Sequence, residues 1–143
     1  MWLVEETDWL GGQATAQGVS ALDEHLHIES FGGTRSYYDL RETIRNHYRS
    51  MAAAGRADFN PGRCWVSHLS FEPIVAVTAI EEMLRPAIDS GQLQVYLRTK
   101  AVAADVDSDC VQSIRTLNLD DGTALEFRPA YLIDATELGD LLP

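Results

Sequence analysis

The spacing of apolar side chains predicts two amphipathic helices in the first two thirds of the chain. Over residues 36–54 these side chains recur at steps of three and four, the period of a helix with one buried stripe. The predicted stripe consists of Tyr37, Leu40, Ile44, His47, Tyr48 and Met51. Ser36 and Asp39 resemble a capping box with Asp in place of Glu, and Gly55 is a natural stop.

A second helix is predicted to begin near Pro73 and to end at Ser90 and Gly91. Its predicted inner face consists of Val77, Ile80, Met83, Leu84 and Ile88. Pro86 conflicts with an unbroken helix, because proline removes a backbone donor and crowds the preceding turn. Two alternatives stay open: the helix kinks at Pro86, or its last turn is separate.

From residue 93 onward the apolar period changes from that of helices to that of strands. Apolar residues alternate over residues 93–97 and again over residues 102–106. Polar turns at residues 107–109 and 120–122 separate two further strands, residues 111–117 and 125–127. The last three segments, residues 102–106, 111–117 and 125–127, predict a three-stranded antiparallel meander.

Two short apolar runs lie outside this meander. Residues 2–5 open the chain as a buried strand, and residues 131–136 predict a buried parallel strand. Residues 13–33 and 58–70 have no clean period and are interpreted as irregular. The order of strand, helices, strand, meander and strand predicts an α/β fold with an inserted three-stranded sheet.

Composition narrows the class of function. The chain of 143 residues fits one domain, and its net charge of −11 argues against nucleic acid and against anionic membrane surfaces. No apolar run approaches the roughly 20 residues of a membrane span, and the start does not resemble a signal peptide. Cys64 and Cys110 lie far apart, which argues against a disulfide framework or a cysteine zinc site and favours a reducing, cytoplasmic compartment.

The four histidines are the remaining candidates for chemistry. His25 and His27 lie beside Glu24 and Glu29, a pattern that would suit a metal if further ligands joined it. An exposed polar loop is the favoured interpretation, so no metal is predicted. His25, His27, His47 and His68 are candidate catalytic bases by residue type only.

Three segments in this order resemble the FAD-dependent oxidoreductases of the glutathione-reductase-like class. They are LVE followed by WLGGQ within residues 3–13, the helix, strand and meander that contain residues 100–106, and YLIDATELGD at residues 131–140. GGTRSY at residues 32–37 and FEP at residues 71–73 also fit, so the resemblance covers nearly the whole chain. It implies a partial Rossmann-like FAD-binding domain with two helices and an inserted three-stranded antiparallel meander.

The resemblance also implies cofactor-binding roles in the first segment. Glu5, at the end of a strand, would accept hydroxyl protons from the adenosine ribose. Gly11 and Gly12 would let the backbone approach the cofactor, and Gln13 and Thr15 would donate hydrogen bonds to its phosphates or ribityl chain. Taken without the family, Glu5 is a surface residue and the two glycines are an ordinary turn.

Further roles fall in the later segments. The backbone of Val102 would contact the adenine edge, although its side chain equally suits a core. Ala135 and Thr136 match the small-residue turn near the cofactor, with Glu137 where the family usually has Gly. Gly139 and Asp140 match the motif that follows, whose acid suits polar cofactor contacts.

The family's strand with G-x-G-x-x-G, which binds the pyrophosphate, does not occur in this sequence. We therefore expect an internal fragment that binds FAD weakly or not at all. The family's first strand would lie between residues 2–5 and 131–136, and its loss would leave an unpaired sheet edge open to self-association.

The resemblance implies an enzyme that takes a hydride from a small organic substrate onto FAD. The alternative is a non-catalytic truncated remnant or interaction module of the same fold, whose sheet edge accepts a strand from another chain. An acid–base hydrolase is disfavoured, because no carboxylates pair at a defined spacing and no G-x-S-x-G motif occurs.

Overall fold

The computed structural model describes residues 1–52 and 59–141, which contain three α-helices and two β-sheets. The chain divides into two compact units. Residues 1–9 and 91–143 form what we call the sheet unit, and residues 10–90 form the helical unit. Within the described residues no helix is long and apolar enough to cross a membrane.

A short parallel pair opens the sheet unit. Strand β1 (Trp2–Val4) pairs with β2 (Gln94–Tyr96) in parallel, with Leu3 opposite Val95. The backbone N–H of Glu5 continues this ladder by donating to the carbonyl of Tyr96 at 2.9 Å. The strand predicted at residues 2–5 is thus confirmed, but it is only partly buried.

The predicted meander is confirmed. Strands β3 (Thr99–Asp107), β4 (Cys110–Asn118) and β5 (Ala124–Phe127) form an antiparallel sheet in the order β3-β4-β5. Phe127 is buried, and its ring lies 5.4 Å from that of Trp2 and 5.1 Å from that of Tyr96. These ring contacts pack the meander against the parallel pair.

Three helices form the helical unit: α1 (Gln13–Ala16), α2 (Arg35–Ala52) and α3 (Pro73–Asp89). Its core combines α2, α3 and the segment before α3, and it consists of Ile44, Leu69, Phe71, Val75, Ala76 and Ala79. Ile44 and Leu69 are fully buried, and side chains of this size stabilise a fold by about 1.5–3 kcal/mol each. The segment 13–33 was interpreted as irregular, but its first four residues form the short helix α1.

Helix α2 starts one residue earlier than predicted. Thr34, and not Ser36, caps it, because the Thr34 hydroxyl accepts the backbone N–H of Tyr37 at 3.2 Å. The predicted end at residues 54–55 lies outside the described residues.

The buried stripe of α2 was predicted only in part. Ile44 is buried and Leu40 and Tyr48 are partly buried, but Met51 is 70% exposed and His47 is also exposed. Arg41 and Arg45 occupy buried positions instead. They are buried because carboxylates and carbonyls surround their guanidinium groups.

Helix α3 runs unbroken through Pro86 to Asp89. Pro86 stands in the last turn, where it cannot donate a backbone N–H to the preceding turn, but its own carbonyl accepts the N–H of Ser90 at 3.2 Å. Val77 is buried as predicted. Met83 and Ile88, predicted for the inner face, are largely exposed, so only the first half of the helix contributes to the core.

The strand predicted at residues 131–136 is wrong. This segment has no regular secondary structure, and Tyr131 and Ile133 are among the most exposed apolar residues of the chain. An apolar run forms a strand only where a neighbouring strand takes its backbone groups, and no strand within the described residues pairs with this one.

Candidate functional site

The turn after β1 holds the Glu5 carboxylate in one orientation. Oε1 of Glu5 accepts the backbone N–H of Thr7 at 2.8 Å. The Thr7 hydroxyl lies 2.8 Å from both Oε1 of Glu5 and the carbonyl of Trp9, so its single proton is shared between these two acceptors. The carbonyl of Glu5 also accepts the N–H of Thr99 at 2.9 Å. Oε2 has no hydrogen-bond partner in the part of the chain that the structure describes. This oxygen can therefore accept a hydrogen bond from a ligand.

Residues 134–136 repeat this arrangement. Oδ1 of Asp134 accepts the backbone N–H of Thr136 at 3.0 Å and its hydroxyl at 2.7 Å. These bonds, the one from the hydroxyl first, hold the pKa of Asp134 below its usual range, with a smaller contribution from the backbone N–H of Leu141. Oδ2 is buried and has no hydrogen-bond partner within residues 1–52 and 59–141.

We call residues 5–7 and 134–136 the paired turns, and Lys100 on β3 joins them. Its Nζ lies 3.2 Å from Oε2 of Glu6 and 3.8 Å from Oδ2 of Asp140. The Glu6 carboxylate, and secondarily that of Asp140, raises the pKa of Lys100. The backbone N–H of Asp140 in turn donates to the Thr136 hydroxyl at 2.7 Å. Two regions distant in sequence therefore meet at one lysine.

Val102 lies at an irregularity of the β3–β4 ladder. The register passes from Ala101 opposite Thr116 to Ala103 opposite Arg115, so Val102 has no partner. Such a bulge takes the backbone groups of the extra residue out of the ladder. The side chain of Val102 is 53% exposed, which contradicts its interpretation as a core residue.

In the helical unit, Gly11 and Gly12 form the turn that starts α1. Both have positive φ, 123° and 49°. A Cβ at Gly11 would lie 2.4 Å from Cγ2 of Thr15, whereas a Cβ at Gly12 would meet no atom within 4 Å. Gly11 is therefore required by the fold, and Gly12 leaves open space beside the backbone.

The two polar residues after these glycines differ in exposure. Gln13 is exposed, whereas Thr15 is buried and its hydroxyl donates to the carbonyl of Leu10 at 3.0 Å. The predicted role of Thr15 as a donor to the cofactor conflicts with this contact, because its hydroxyl proton is already used. Thr15 supports the turn at Gly11.

Glu24 and Glu29, considered above as metal ligands beside His25, bind buried arginines. Arg41 pairs with both carboxylates, and only 1% of its side chain and 2% of that of Glu24 are exposed. The hydroxyl of Ser67 donates to Oε2 of Glu24 at 2.7 Å. Sequence reasoning missed this ion-pair network, although its signal was present: two arginines four residues apart on the inner face of a helix.

The rest of the network ties two loops to α2. Arg45 donates to Oε1 of Glu29 at 2.7 Å and to the carbonyls of Phe59 and His68 at 3.0 and 3.2 Å. Burial acts to raise the pKa of Glu24, but hydrogen bonds from Ser67, Tyr37 and Arg41 outweigh it and keep that pKa below its usual range. Among the described residues, no group of three or more His, Cys, Asp or Glu side chains is placed to hold a metal ion.

The histidines of this loop make local contacts. Nδ1 of His25 accepts the backbone N–H of His27 at 3.2 Å, and the His27 ring stacks on that of Phe31 at 5.3 Å. His47 contacts the edge of Tyr48 at 5.0 Å. These histidines pack at the surface, and none of these contacts identifies a catalytic base.

Comparison with known proteins adds one finding. The model of a family described as FAD dependent oxidoreductase matches residues 1–143, the full chain. A search of curated proteins found no match.

Proposed function

This chain belongs to the FAD-dependent oxidoreductases, and we propose that it contributes an FAD site to a glutathione-reductase-like flavoprotein that oxidises a small organic substrate. When bound, FAD supplies the ring that accepts a hydride from the substrate. The residues of the chain bind and orient the cofactor, although no G-x-G-x-x-G motif occurs among these 143 residues. The proposal also treats the parallel strands β1 and β2 as part of a Rossmann-like sheet.

The observation that carries the proposal is the fixed carboxylate of Glu5. The backbone N–H of Thr7, and in part its hydroxyl, hold one oxygen, and the other stays free for a hydroxyl of the adenosine ribose. A charge-assisted hydrogen bond to an oriented carboxylate is stronger than one to a neutral acceptor. The bulge at Val102 supports an adenine contact, because it leaves backbone groups outside the ladder.

Other residues have smaller roles in the proposal. In the helical unit, the resemblance assigns cofactor contacts to Gly12 and Gln13, which have open space and an exposed side chain, whereas Gly11 and Thr15 shape the turn. In the sheet unit, Ala135 and Thr136 lie in the second of the paired turns, and the backbone N–H of Gly139 donates to the carbonyl of Thr136 at 3.5 Å. These residues fit a cofactor that presents hydroxyls and phosphates to polar backbone.

Titration of the purified chain with FAD tests the proposal. We expect weak, saturable binding by equilibrium dialysis with flavin absorbance, and Glu5→Ala should weaken it by about tenfold. The matched control is Glu6→Ala, which removes the neighbouring carboxylate but leaves the Thr7 clip in place. Equal affinity in Glu5→Ala and the unchanged chain would contradict the ribose role of Glu5.

A second candidate function is an interaction module, and the exposure of Tyr131 and Ile133 favours it. An exposed apolar segment whose backbone groups are unpaired can add to a sheet of another chain. Sedimentation velocity of the same purified chain, with and without FAD, distinguishes the two functions. Concentration-dependent association without FAD binding supports the interaction module, and FAD binding by a monomer supports the cofactor site.

A further inference from the structure

Two loops of the helical unit lie side by side. Ala21 forms an antiparallel bridge with Ser70, and the hydroxyl of Ser67 donates to Oε2 of Glu24 at 2.7 Å. The chain therefore runs in opposite directions through the two loops. The residues just after Glu24 lie close to those just before Ser67.

Large apolar side chains at this end of the two loops are exposed. Leu26, two residues after Glu24, is 85% exposed, and Trp65, two residues before Ser67, is 90% exposed. We call the exposed apolar side chains here the loop patch, which consists of Leu26, Phe31, Trp65 and Val66. Apolar groups grouped at a surface mark sites of interaction, and tryptophan is enriched among the residues that carry binding energy.

The buried ion-pair network fixes the backbone beneath the loop patch. Glu24 and Glu29 of the first loop bind Arg41 of α2. Arg45 holds the second loop by donating to the carbonyl of His68 at 3.2 Å. Side chains on a backbone that is already ordered lose less conformational entropy on binding than those of a mobile loop. The network therefore favours the loop patch as a binding surface.

The surroundings of the loop patch are close to neutral, although the chain carries a net charge of −11. The two glutamates of the network are paired with arginines, so the remaining formal charges in these loops are those of Asp23 and Arg63. Arg63 makes no ion pair within the described residues. Three exposed imidazoles add N–H donors, those of His25, His27 and His68. An acidic segment from another molecule is thus repelled less here than the net charge of the chain would suggest.

The sheet unit carries a segment of complementary character, residues 131–138, which we call the tail segment. It has no regular secondary structure, and its side chains of Tyr131, Ile133 and Leu138 are exposed. Glu137, between the last two of these, is also exposed and makes no ion pair within residues 1–52 and 59–141. The tail segment is therefore both apolar and acidic, which suits an apolar surface that offers a guanidinium group and imidazole donors.

We propose that the tail segment of one molecule binds the loop patch of a second copy of this chain, with Arg63 and the imidazoles facing the acids of the tail segment. The inference goes beyond the cofactor site, and it supplies the partner for the interaction module, the second candidate function. The contact joins two different surfaces, so each bound molecule still has one surface of each kind to offer. Such heterologous contacts extend into open assemblies or close into rings.

Sedimentation velocity of the purified chain, from micromolar to millimolar concentration, is the first test. The unchanged chain should associate beyond the dimer. Trp65→Ala and Ile133→Ala each remove one side of the contact and should weaken association by at least about tenfold. Both side chains are largely exposed, so the melting temperature should stay the same. Met51→Ala and Val106→Ala are matched controls, because they remove exposed apolar side chains outside both surfaces and should leave association unchanged.

A mixture of the two variants tests the pairing itself. Trp65→Ala keeps its tail segment, and Ile133→Ala keeps its loop patch. An equimolar mixture should therefore form a dimer and stop there, because each pair of molecules retains a single complete contact. When only Ile133→Ala carries ¹⁵N, the NMR signal of its Trp65 indole N–H should shift on addition of unlabelled Trp65→Ala.

The outcomes separate this inference from the cofactor site. A mixture that stays monomeric would overturn the inference, since the two surfaces then do not bind each other and association occurs by another route, such as strand addition between two tail segments. Undiminished association of either single variant would also overturn it, and so would an unchanged chain that is monomeric at every concentration. FAD titration of the monomeric variants is independent of these results, and affinity that depends on Glu5 there would leave the cofactor proposal standing.

Discussion

Carboxylates serve different purposes in the two units of this protein. In the helical unit, both oxygens of Glu24 have partners, with Arg41 and Tyr37 on one and Ser67 on the other. In the sheet unit, Glu5 and Asp134 each use one oxygen for a threonine and keep the other unused. A fully paired carboxylate stabilises the fold, and we propose that the half-paired carboxylate of Glu5 binds the cofactor.

The difference also appears in where the arginines lie. Arg41 and Arg45 are buried beside their carboxylates, whereas Arg128 in the sheet unit pairs with Glu126 at the surface. Buried ion pairs depend on complete pairing, since removal of one partner leaves a charge without solvent. Surface pairs lose little when broken, because water replaces the partner.

The largest predicted effect follows from breaking the buried network. Arg41→Met keeps the apolar stem but leaves the Glu24 carboxylate buried without its cation, so the free energy of unfolding should fall by about 3–5 kcal/mol. Urea denaturation of the chain measures this change.

The control is Arg128→Met, which removes an exposed arginine of the sheet unit and should cost less than about 1 kcal/mol. A similar small loss in both variants would mean that the network is not the structural centre of the helical unit. The comparison between the two units would then fail.

Sequence patterns predicted the elements in which apolar residues recur at a regular spacing along a short stretch of chain. The meander, α2 and α3 follow from alternation or from three- and four-residue steps, and they form as expected. The buried arginines were missed because their partners lie 12 to 17 residues away, beyond any local period. The strand at residues 131–136 was wrong because pairing depends on a neighbour that composition does not reveal.

The candidate site was predicted in a similar way. The position of Glu5 after a strand and the positive φ of Gly11 and Gly12 are found in the structure, whereas the cofactor roles of these residues stay predictions. The unused oxygen of Asp134 depends on burial, which sequence does not give. The occupied hydroxyl of Thr15 likewise depends on a contact that only the fold supplies.

A smaller predicted effect separates the structural role of the glycine turn from its proposed role in binding FAD. Gly11→Ala should destabilise the chain by about 2–3 kcal/mol, because φ of 123° disfavours any Cβ and Thr15 lies in its way. Gly12→Ala should cost less, about 1–2 kcal/mol, because the space is open and only the backbone (φ 49°, ψ −126°) disfavours a Cβ there.

Thermal unfolding measures both losses, and FAD titration then sharpens the comparison. Gly12→Ala should weaken FAD binding more than its stability loss explains, because the added methyl group occupies space assigned to the cofactor. Equal stability losses in the two variants would show that the contact with Thr15 does not limit the turn.

The smallest predicted effect concerns Tyr48, whose hydroxyl donates to Oε2 of Glu72 at 2.6 Å in the helical unit. Burial, and then the Glu72 carboxylate, raises the pKa of Tyr48 from 10.0 to about 12. A raised pKa stabilises the fold fully below the unfolded value of 10.0, and this contribution is lost as pH rises towards 12. Tyr48→Phe should therefore lower the free energy of unfolding by about 1 kcal/mol at neutral pH and show a shallower alkaline decline in urea denaturation.

Tyr131→Phe is the matched control in the sheet unit, because that side chain is 93% exposed and removal of its hydroxyl should leave stability unchanged. An equal alkaline decline in Tyr48→Phe and the unchanged chain would mean that complete pairing in the helical unit does not extend to Tyr48.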